Sequence, residues 1–81
     1  SPIIHKMKNS LEEIRQRELS RYIKKLDSEQ MKLVDEVTKS LMQKVMKLPV
    51  LQLKAACKRG EAETLVDVLN NLFDLEKVDQ E

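Results

Sequence analysis

The sequence predicts an all-α fold: a helical bundle of about four helices (one long, one medium and two short) that is completed by dimerisation. Three observations lead to this prediction. Leu, Lys, Glu, Met and Gln, which are good helix formers, dominate the composition. One glycine and two prolines among 81 residues leave little material for turns or strands. Apolar residues recur at intervals of three and four, which is the spacing of one helix face.

The small size of the chain makes association with another chain the expected source of stability. A domain of 81 residues is marginal alone and usually needs disulfides, a metal or oligomerisation. Cys57 is the only cysteine, which excludes an internal disulfide. We also expect no metal site, because His5 and Cys57 are the only soft ligands and lie far apart in sequence. Oligomerisation is the remaining route.

The composition also argues against several classes of function. Tyr22 and Phe73 are the only aromatic residues, too few for a surface that stacks single-stranded nucleic acid. Charged residues make up 36% of the chain, yet the net charge of +1 is not that of a dedicated DNA or membrane binder. No apolar run is long enough to span a membrane, and a free cysteine suits a reducing compartment, so we predict a cytoplasmic protein without membrane contact.

The first predicted helix runs from Pro2 or Ile3 to Leu26. Proline is tolerated at a helix start, because its missing N–H would be unpaired there anyway. The apolar spacing shifts by one residue after Ile14, so the two halves are predicted to face different neighbours. A helix of roughly 24 residues would be about 36 Å long, more than a domain of this size needs. Since the sequence starts at Ser1 without Met, we expect a piece of a longer protein, with residues 1–26 ending a long interdomain helix.

The second predicted helix runs from Ser28 or Glu29 to about Lys47. Asp27 or Ser28 can cap it, and Gln30 has the spacing of a capping box with Asp27. Its apolar residues cover an arc of roughly 220°, whereas an ordinary surface helix buries a stripe of about 100°. The rest of the chain can cover one flank of such a helix. The other flank needs a partner.

Pro49 is predicted to end the second helix and to start a short third one. Proline disfavours the helical conformation of the residue before it but suits a first helical position. We expect this third helix to reach Arg59, with Gly60 as its left-handed C-cap. A fourth helix then begins near Glu61 or Ala62, and its helical character fades after Asp74.

Three segments, taken in order, resemble the C-terminal dimerisation domain of glutamyl-tRNA reductase. They are LEEIRQRELSRYIKKL, SEQMKLVDEVTKSLMQKVMKLPVLQLKAA and GEAETLVDVLNNLFDLE. The matching positions are Ile14, Arg15, Glu18, Leu19, Thr38, Ser40, Lys44, Pro49, Leu53, Lys54, Gly60, Leu65, Leu72, Phe73 and Leu75. The chain departs from the family at Gln43, where Asn is usual, and at Lys47, where His is usual. These departures weaken any special role of that helix end and leave the hydrophobic pattern intact.

The resemblance covers nearly the whole chain and implies both a function and a parent enzyme. Residues 1–81 would form a single helical homodimerisation domain in the C-terminal part of that enzyme. The parent would use NADPH to reduce glutamate carried on its tRNA to glutamate-1-semialdehyde, an entry step of tetrapyrrole (porphyrin) biosynthesis. The family's catalytic cysteine and dinucleotide fold lie upstream of this domain. We therefore expect no catalytic, cofactor-binding or metal-binding residue here, and NADPH only in the parent.

Eight apolar residues are the candidates for the dimer interface, although the pattern leaves open which of them belong to the core of one chain. They are Val34, Val37, Leu41, Val45, Leu48, Leu65, Leu69 and Leu72. We interpret Cys57 as a small apolar residue on the inner face of the short third helix rather than a nucleophile. His5 is expected to be exposed and without a role. The four methionines are interpreted as residues that fill gaps in the core.

Two alternatives stay open. Arg17, Arg21 and Lys24 have the i, i+4, i+7 spacing of one helix face and could contact tRNA phosphates, although a solvated face is the favoured interpretation. A pair between Glu13 and Arg17 would support that favoured interpretation. The second alternative concerns the whole chain, which could instead be a stand-alone helical adaptor. Such an adaptor would bind a partner's amphipathic helix in a groove lined by Met and Leu.

Overall fold

The computed structural model describes the backbone of residues 2–78 and the side chains of residues 2–74. It contains three α-helices: α1 (Pro2–Ser20), α2 (Ser28–Arg59) and α3 (Ala62–Val78). The all-α prediction is confirmed. The division into four helices is wrong, because the second and third predicted helices form one continuous helix, α2. The longest helix is therefore α2 and not the first helix, as the sequence had suggested.

The first helix is shorter than predicted. It ends at Ser20 rather than Leu26, and the chain continues through residues 21–25 as tighter turns. In these turns, backbone N–H groups bond three residues back, as from Tyr22 to the Leu19 carbonyl at 3.0 Å. Such bonds satisfy carbonyls that the end of an α-helix leaves unpaired. The Ser20 hydroxyl also donates to the Arg17 carbonyl at 2.7 Å, which helps to close the helix.

The second helix passes through Pro49 without ending. Proline inside a helix lacks the N–H that would bond to the carbonyl four residues earlier, and it normally breaks or kinks the helix. Here tertiary packing involves the residues of α2 on both sides of Pro49. Leu53, after the proline, is buried in the core, and Met46, before it, packs against the same core. A single helix that continues through Pro49 keeps both contacts.

Both predicted caps of α2 are present. The Asp27 carboxylate accepts from the Gln30 backbone N–H at 2.8 Å, and the Gln30 side chain accepts from the Asp27 N–H at 3.0 Å. This reciprocal pair is a capping box, which satisfies two backbone donors at the helix start. At the other end, Gly60 has the left-handed φ of 73° predicted for a C-cap.

The helices pack as an antiparallel pair, α1 and α2, with α3 against the end where α1 begins. Ile3, Met7 and Leu53 form the buried core. The partly buried residues that pack against this core are Ile4, Met46, Leu65, Val66, Leu69 and Phe73. Lys6 of α1 also links this helix to α3, because its Nζ pairs with Asp74 at 2.5 Å and donates to Asn70 at 3.1 Å.

The assembled chain is thin and exposes much surface. Its principal extents are 49 × 28 × 13 Å, so the fold is little thicker than one helix in its shortest direction. The chain exposes 6467 Å² to solvent. A compact monomer of this mass exposes about 5,000 Å². A fold with this much excess surface has area available for contact with a partner.

Candidate dimerisation surface

One side of α2 presents a long row of apolar side chains to solvent, which we call the outer face of α2. Its members are Leu33, Val37, Leu41, Val45, Leu48 and Leu51, and they are 38% to 64% exposed. At 100° per residue they lie within an arc of roughly 120° and extend about 27 Å along the helix. This row is the flank that the sequence predicted the rest of the chain could not cover.

Exposed apolar side chains are also present on α3. Val68 and Leu72, one turn apart on α3, are 57% and 58% exposed. A shallow depression lies between the two helices, with Gln52 and Ala56 on one side and Leu65 and Val68 on the other, and polar residues also line it. Exposed apolar patches are typical of protein interaction sites.

The structure separates the eight candidate residues into two groups. Five of them are exposed: Val37, Leu41, Val45, Leu48 and Leu72. The other three are partly buried, and Leu65 and Leu69 pack against the core of their own chain, while Val34 lies at the inner edge of the outer face.

Three further exposed residues, Leu33, Leu51 and Val68, belong to the same surface but were not among the candidates. Angular position could have identified the first two. Leu33 and Leu51 are about five helical turns apart and therefore point in the same direction.

A buried arginine holds α1 against the first half of α2. Arg15 is only 6% exposed, and its guanidinium pairs with Glu12 at 2.5 Å and with Asp35 at 2.6 Å. It also donates to the Asp35 carbonyl at 3.2 Å. These bonds keep the pKa of Arg15 above its ordinary value, and the hydrogen bond from Arg15 is the main reason that the pKa of Glu12 falls to about 2. We call these bonds of Arg15 to Glu12 and Asp35 the clamp. The sequence indicated Arg15 only as part of a motif, and the clamp was not predicted.

The basic residues proposed to contact tRNA are exposed but do not lie on one helix face. Arg17 lies on α1, whereas Arg21 and Lys24 lie in the turns that follow it; Arg17 and Arg21 line a shallow depression beside Ile14. The i, i+4, i+7 spacing does not define one α-helix face here, because it requires a helix that reaches Lys24 and α1 ends at Ser20. The expected pair between the Glu13 and Arg17 side chains is not formed either; Arg17 instead donates to the Glu13 backbone carbonyl at 3.4 Å.

Cys57 and His5, the two other residues that the sequence singled out, are both exposed. This agrees with the expectation for His5. The prediction that Cys57 lies on an inner face is wrong, because Leu53 and Ala56 form the inner face of this part of α2 instead. Among the described residues, no cluster of His, Cys, Asp and Glu could hold a metal ion, and no helix is long and apolar enough to cross a membrane.

Comparison with known proteins identifies the family of this chain. Residues 1–75 match the family described as the glutamyl-tRNAGlu reductase dimerisation domain. The chain belongs to this family. The resemblance seen in the sequence is thereby confirmed, and the exposed outer face of α2 is a surface in a domain whose family is defined by dimerisation.

Curated relatives support the same assignment. The chain is 70% identical over 77 residues to glutamyl-tRNA reductase of Cytophaga hutchinsonii, covering 95% of this chain and 18% of that protein. It is 36% identical over 78 residues to the enzyme of Natranaerobius thermophilus, covering 93% and 17%. For the enzyme of a Synechococcus species the identity is 33% over 79 residues, covering 93% and 18%. The chain thus spans about a fifth of the length of these relatives. No solved structure matches it.

Proposed function

We propose that this glutamyl-tRNA reductase dimerisation domain pairs with a second copy through the outer face of α2, extended by Val68 and Leu72 of α3. The observation that carries the proposal is the continuous exposure of apolar side chains along about 27 Å of α2. A standard interface buries roughly 800 Å² per partner, and obligate homodimers often bury more. The excess surface of the isolated chain is large enough to supply such an interface.

The role of this domain in the parent protein would be mechanical. We infer that the parent is a glutamyl-tRNA reductase, the name that these relatives carry. We propose that this parent is cytoplasmic and uses NADPH to produce glutamate-1-semialdehyde for tetrapyrrole synthesis. Residues 1–81 would act as one domain that holds two catalytic units at a fixed distance and orientation. We further propose that α1 continues a helix that links this domain to the rest of the enzyme.

NADPH chemistry would be carried by parts of the parent outside this chain. A dinucleotide is usually held where a strand meets a glycine-rich turn at a helix N-terminus. The described residues form no strand, and Gly60, the only glycine of the sequence, is already the C-cap of α2. The residues present therefore do not fit the cofactor, and we assign no catalytic residue to this domain.

A single charged substitution tests the dimer surface. Leu41→Glu places a carboxylate at the middle of the outer face, where pairing would bury it without a partner. Burial of an unpaired charge is costly enough that we expect the dimer to dissociate at micromolar concentration. Sedimentation equilibrium over a range of protein concentrations measures the effect.

Gln43→Glu is the matched control, because it adds the same charge two residues away on a different side of α2. We expect this variant to dimerise like the native chain. If the native chain is a monomer at every concentration, the stand-alone adaptor becomes the better interpretation. If Leu41→Glu dimerises normally while folded, the interface lies elsewhere on the domain.

Contact with tRNA is a secondary proposal for the exposed basic residues Arg17, Arg21 and Lys24. The supporting observation is that Arg17 and Arg21 line one depression at the end of α1. Arg21 is already paired with Glu18 at 3.1 Å, which reduces the charge available to a phosphate. Reversing Arg17 and Arg21 to Glu in the full-length enzyme should weaken tRNA binding at low salt, because phosphate contacts depend on ionic strength. Unchanged affinity in a filter-binding assay would refute this contact.

A further inference from the structure

A second apolar surface lies between α1 and α2, on the side of this pair that α3 leaves open. It is a groove of about 420 Å³ whose floor is formed by side chains of both helices. The floor residues are Ile4, Leu11, Met42, Met46 and Val50. Met42, Met46 and Val50 lie roughly 160° around α2 from the middle of its outer face, so the groove and the proposed dimer surface are on different sides of the domain.

The shape of this groove suits a helix. An antiparallel helix pair has two grooves, and in this domain α3 fills one of them by packing on the core of Ile3, Met7 and Leu53. A helix laid in the other groove would complete a four-helix bundle, which is a common way to bury both sides of such a pair. The floor extends about 10–12 Å along each helix, enough to seat two or more turns.

The rim of the groove is positively charged and therefore favours a negatively charged ligand. Lys8, Lys39 and Lys47 line it, and none of them forms an ion pair with the residues that the structure describes. Glu12 is the only acidic residue on the rim, and its carboxylate is already engaged by the Arg15 guanidinium. The rim therefore presents three cations whose complement is a set of carboxylates.

We propose that this groove binds an amphipathic helix with acidic flanks that belongs to a different protein. The apolar face of that helix would cover the methionines of the floor, which are adaptable side chains suited to varied partners. A second copy that presented the same groove is a poor occupant, because pairing groove against groove across a two-fold axis brings two sets of three lysines together. This binding goes beyond dimerisation, and it requires only that the groove is not itself a contact between two copies.

A designed peptide serves as the probe. It is a fluorescein-labelled helix of about 18 residues, with Leu at i, i+3, i+4 and i+7 positions, Glu on both flanks and Ala elsewhere. Fluorescence anisotropy with the whole 81-residue chain at low salt should show saturable binding. Lys39→Glu combined with Lys47→Glu should weaken binding by about ten-fold or more, because two attractions become repulsions.

Control variants distinguish specific binding in the groove from nonspecific attraction to the peptide. Lys32→Glu changes the same charge on α2 outside the groove and should alter the affinity by less than about two-fold. Met42→Lys, which places a charge in the floor, should abolish binding while circular dichroism shows a folded chain. The proposal is overturned if a peptide with Lys flanks binds equally well, or if the double Lys variant binds the acidic peptide like the native chain.

The same variants distinguish this proposal from the proposed dimer surface. We expect the Lys39→Glu, Lys47→Glu variant to keep the oligomeric state of the native chain in sedimentation equilibrium. If it becomes monomeric where the native chain is a dimer, the groove is a contact between copies and the proposal of a foreign helix is wrong. A normal dimer in Leu41→Glu would instead refute only the dimer surface and leave the groove proposal intact.

Discussion

Arg15 is a buried charged side chain whose burial was not predicted from the sequence. Lys8 and Arg17 of the same helix are exposed, yet Arg15 is buried and bonded to carboxylates of both α1 and α2. Its spacing places it four residues from both Leu11 and Leu19, on the apolar side of α1, whereas Arg17 has Glu13 and Arg21 at the same spacing. The spacing therefore marks an inward position, but the partner that neutralises the charge appears only when α2 brings Asp35 next to α1. Burial of a charge can be inferred from a sequence only if its partner's position is known.

The clamp predicts a specific loss of stability in acid. The pKa of Glu12 is lowered from 4.5 to about 2, mainly by its hydrogen bond from Arg15. A carboxyl whose folded pKa is depressed stabilises the fold above its unfolded pKa and loses that contribution as the pH falls through the folded value. Part of the stability should therefore disappear between about pH 4.5 and pH 2. Urea unfolding at fixed protein concentration measures it.

Glu12→Gln isolates this contribution. The variant should be less stable than the native chain at pH 7, by a modest amount because the Glu12 side chain is 46% exposed to solvent. The difference between the two should shrink as the pH falls toward 2. Glu13→Gln, a neighbouring exposed carboxyl, should match the native chain throughout. A native–variant difference that does not change with pH would contradict the assignment of the clamp.

At the scale of elements, local signals predicted the ends of α2 but not its continuity. The Asp27 capping box and the Gly60 C-cap form from bonds within a few residues, so their sequence patterns suffice. Pro49 is also a local signal, yet here it is overridden by the core contacts of Met46 and Leu53. Likewise the end of α1 at Ser20 had no strong local marker, since good helix formers continue to Leu26. Packing accompanies the continuity of α2 through Pro49, and packing is not visible in a local pattern.

Replacing the proline tests whether packing alone sustains α2. Pro49→Ala restores the N–H that can donate to the Val45 carbonyl and removes the steric conflict of the ring. We expect the free energy of unfolding to rise by roughly 1–3 kcal/mol, measured by urea unfolding. Lys54→Ala, an exposed substitution in the same helix, should stay within about 0.5 kcal/mol of the native chain. Lower stability in Pro49→Ala would mean that the proline ring contributes more through its own contacts than it costs the backbone.

At the scale of the whole molecule, the sequence predicted that a surface for dimerisation is required, but it did not predict which residues form it. The wide apolar arc of α2 showed that one flank required a partner. It could not show which flank, because that depends on where α1 and α3 pack. In the structure Leu53 and Ala56 are buried whereas Leu41 and Leu48 are exposed, and for this reason we propose the exposed flank as the dimer surface. Residues of a core and of an interface are both apolar, so only their positions in the folded chain distinguish them.

The thin shape of the domain predicts that folding and dimerisation are coupled. Only Ile3, Met7, Leu19, Leu53 and Ala56 are buried apolar residues among those described, a small core for three helices. Anything that binds the folded state stabilises it by mass action, so the second copy should raise the melting temperature. We expect the Tm to increase steadily with protein concentration in the native chain and in Gln43→Glu. In Leu41→Glu it should be lower and independent of concentration, as followed by circular dichroism. A native Tm that does not change over a hundred-fold range of concentration would show that the thin monomer is stable by itself, and the outer face of α2 would then need a different explanation.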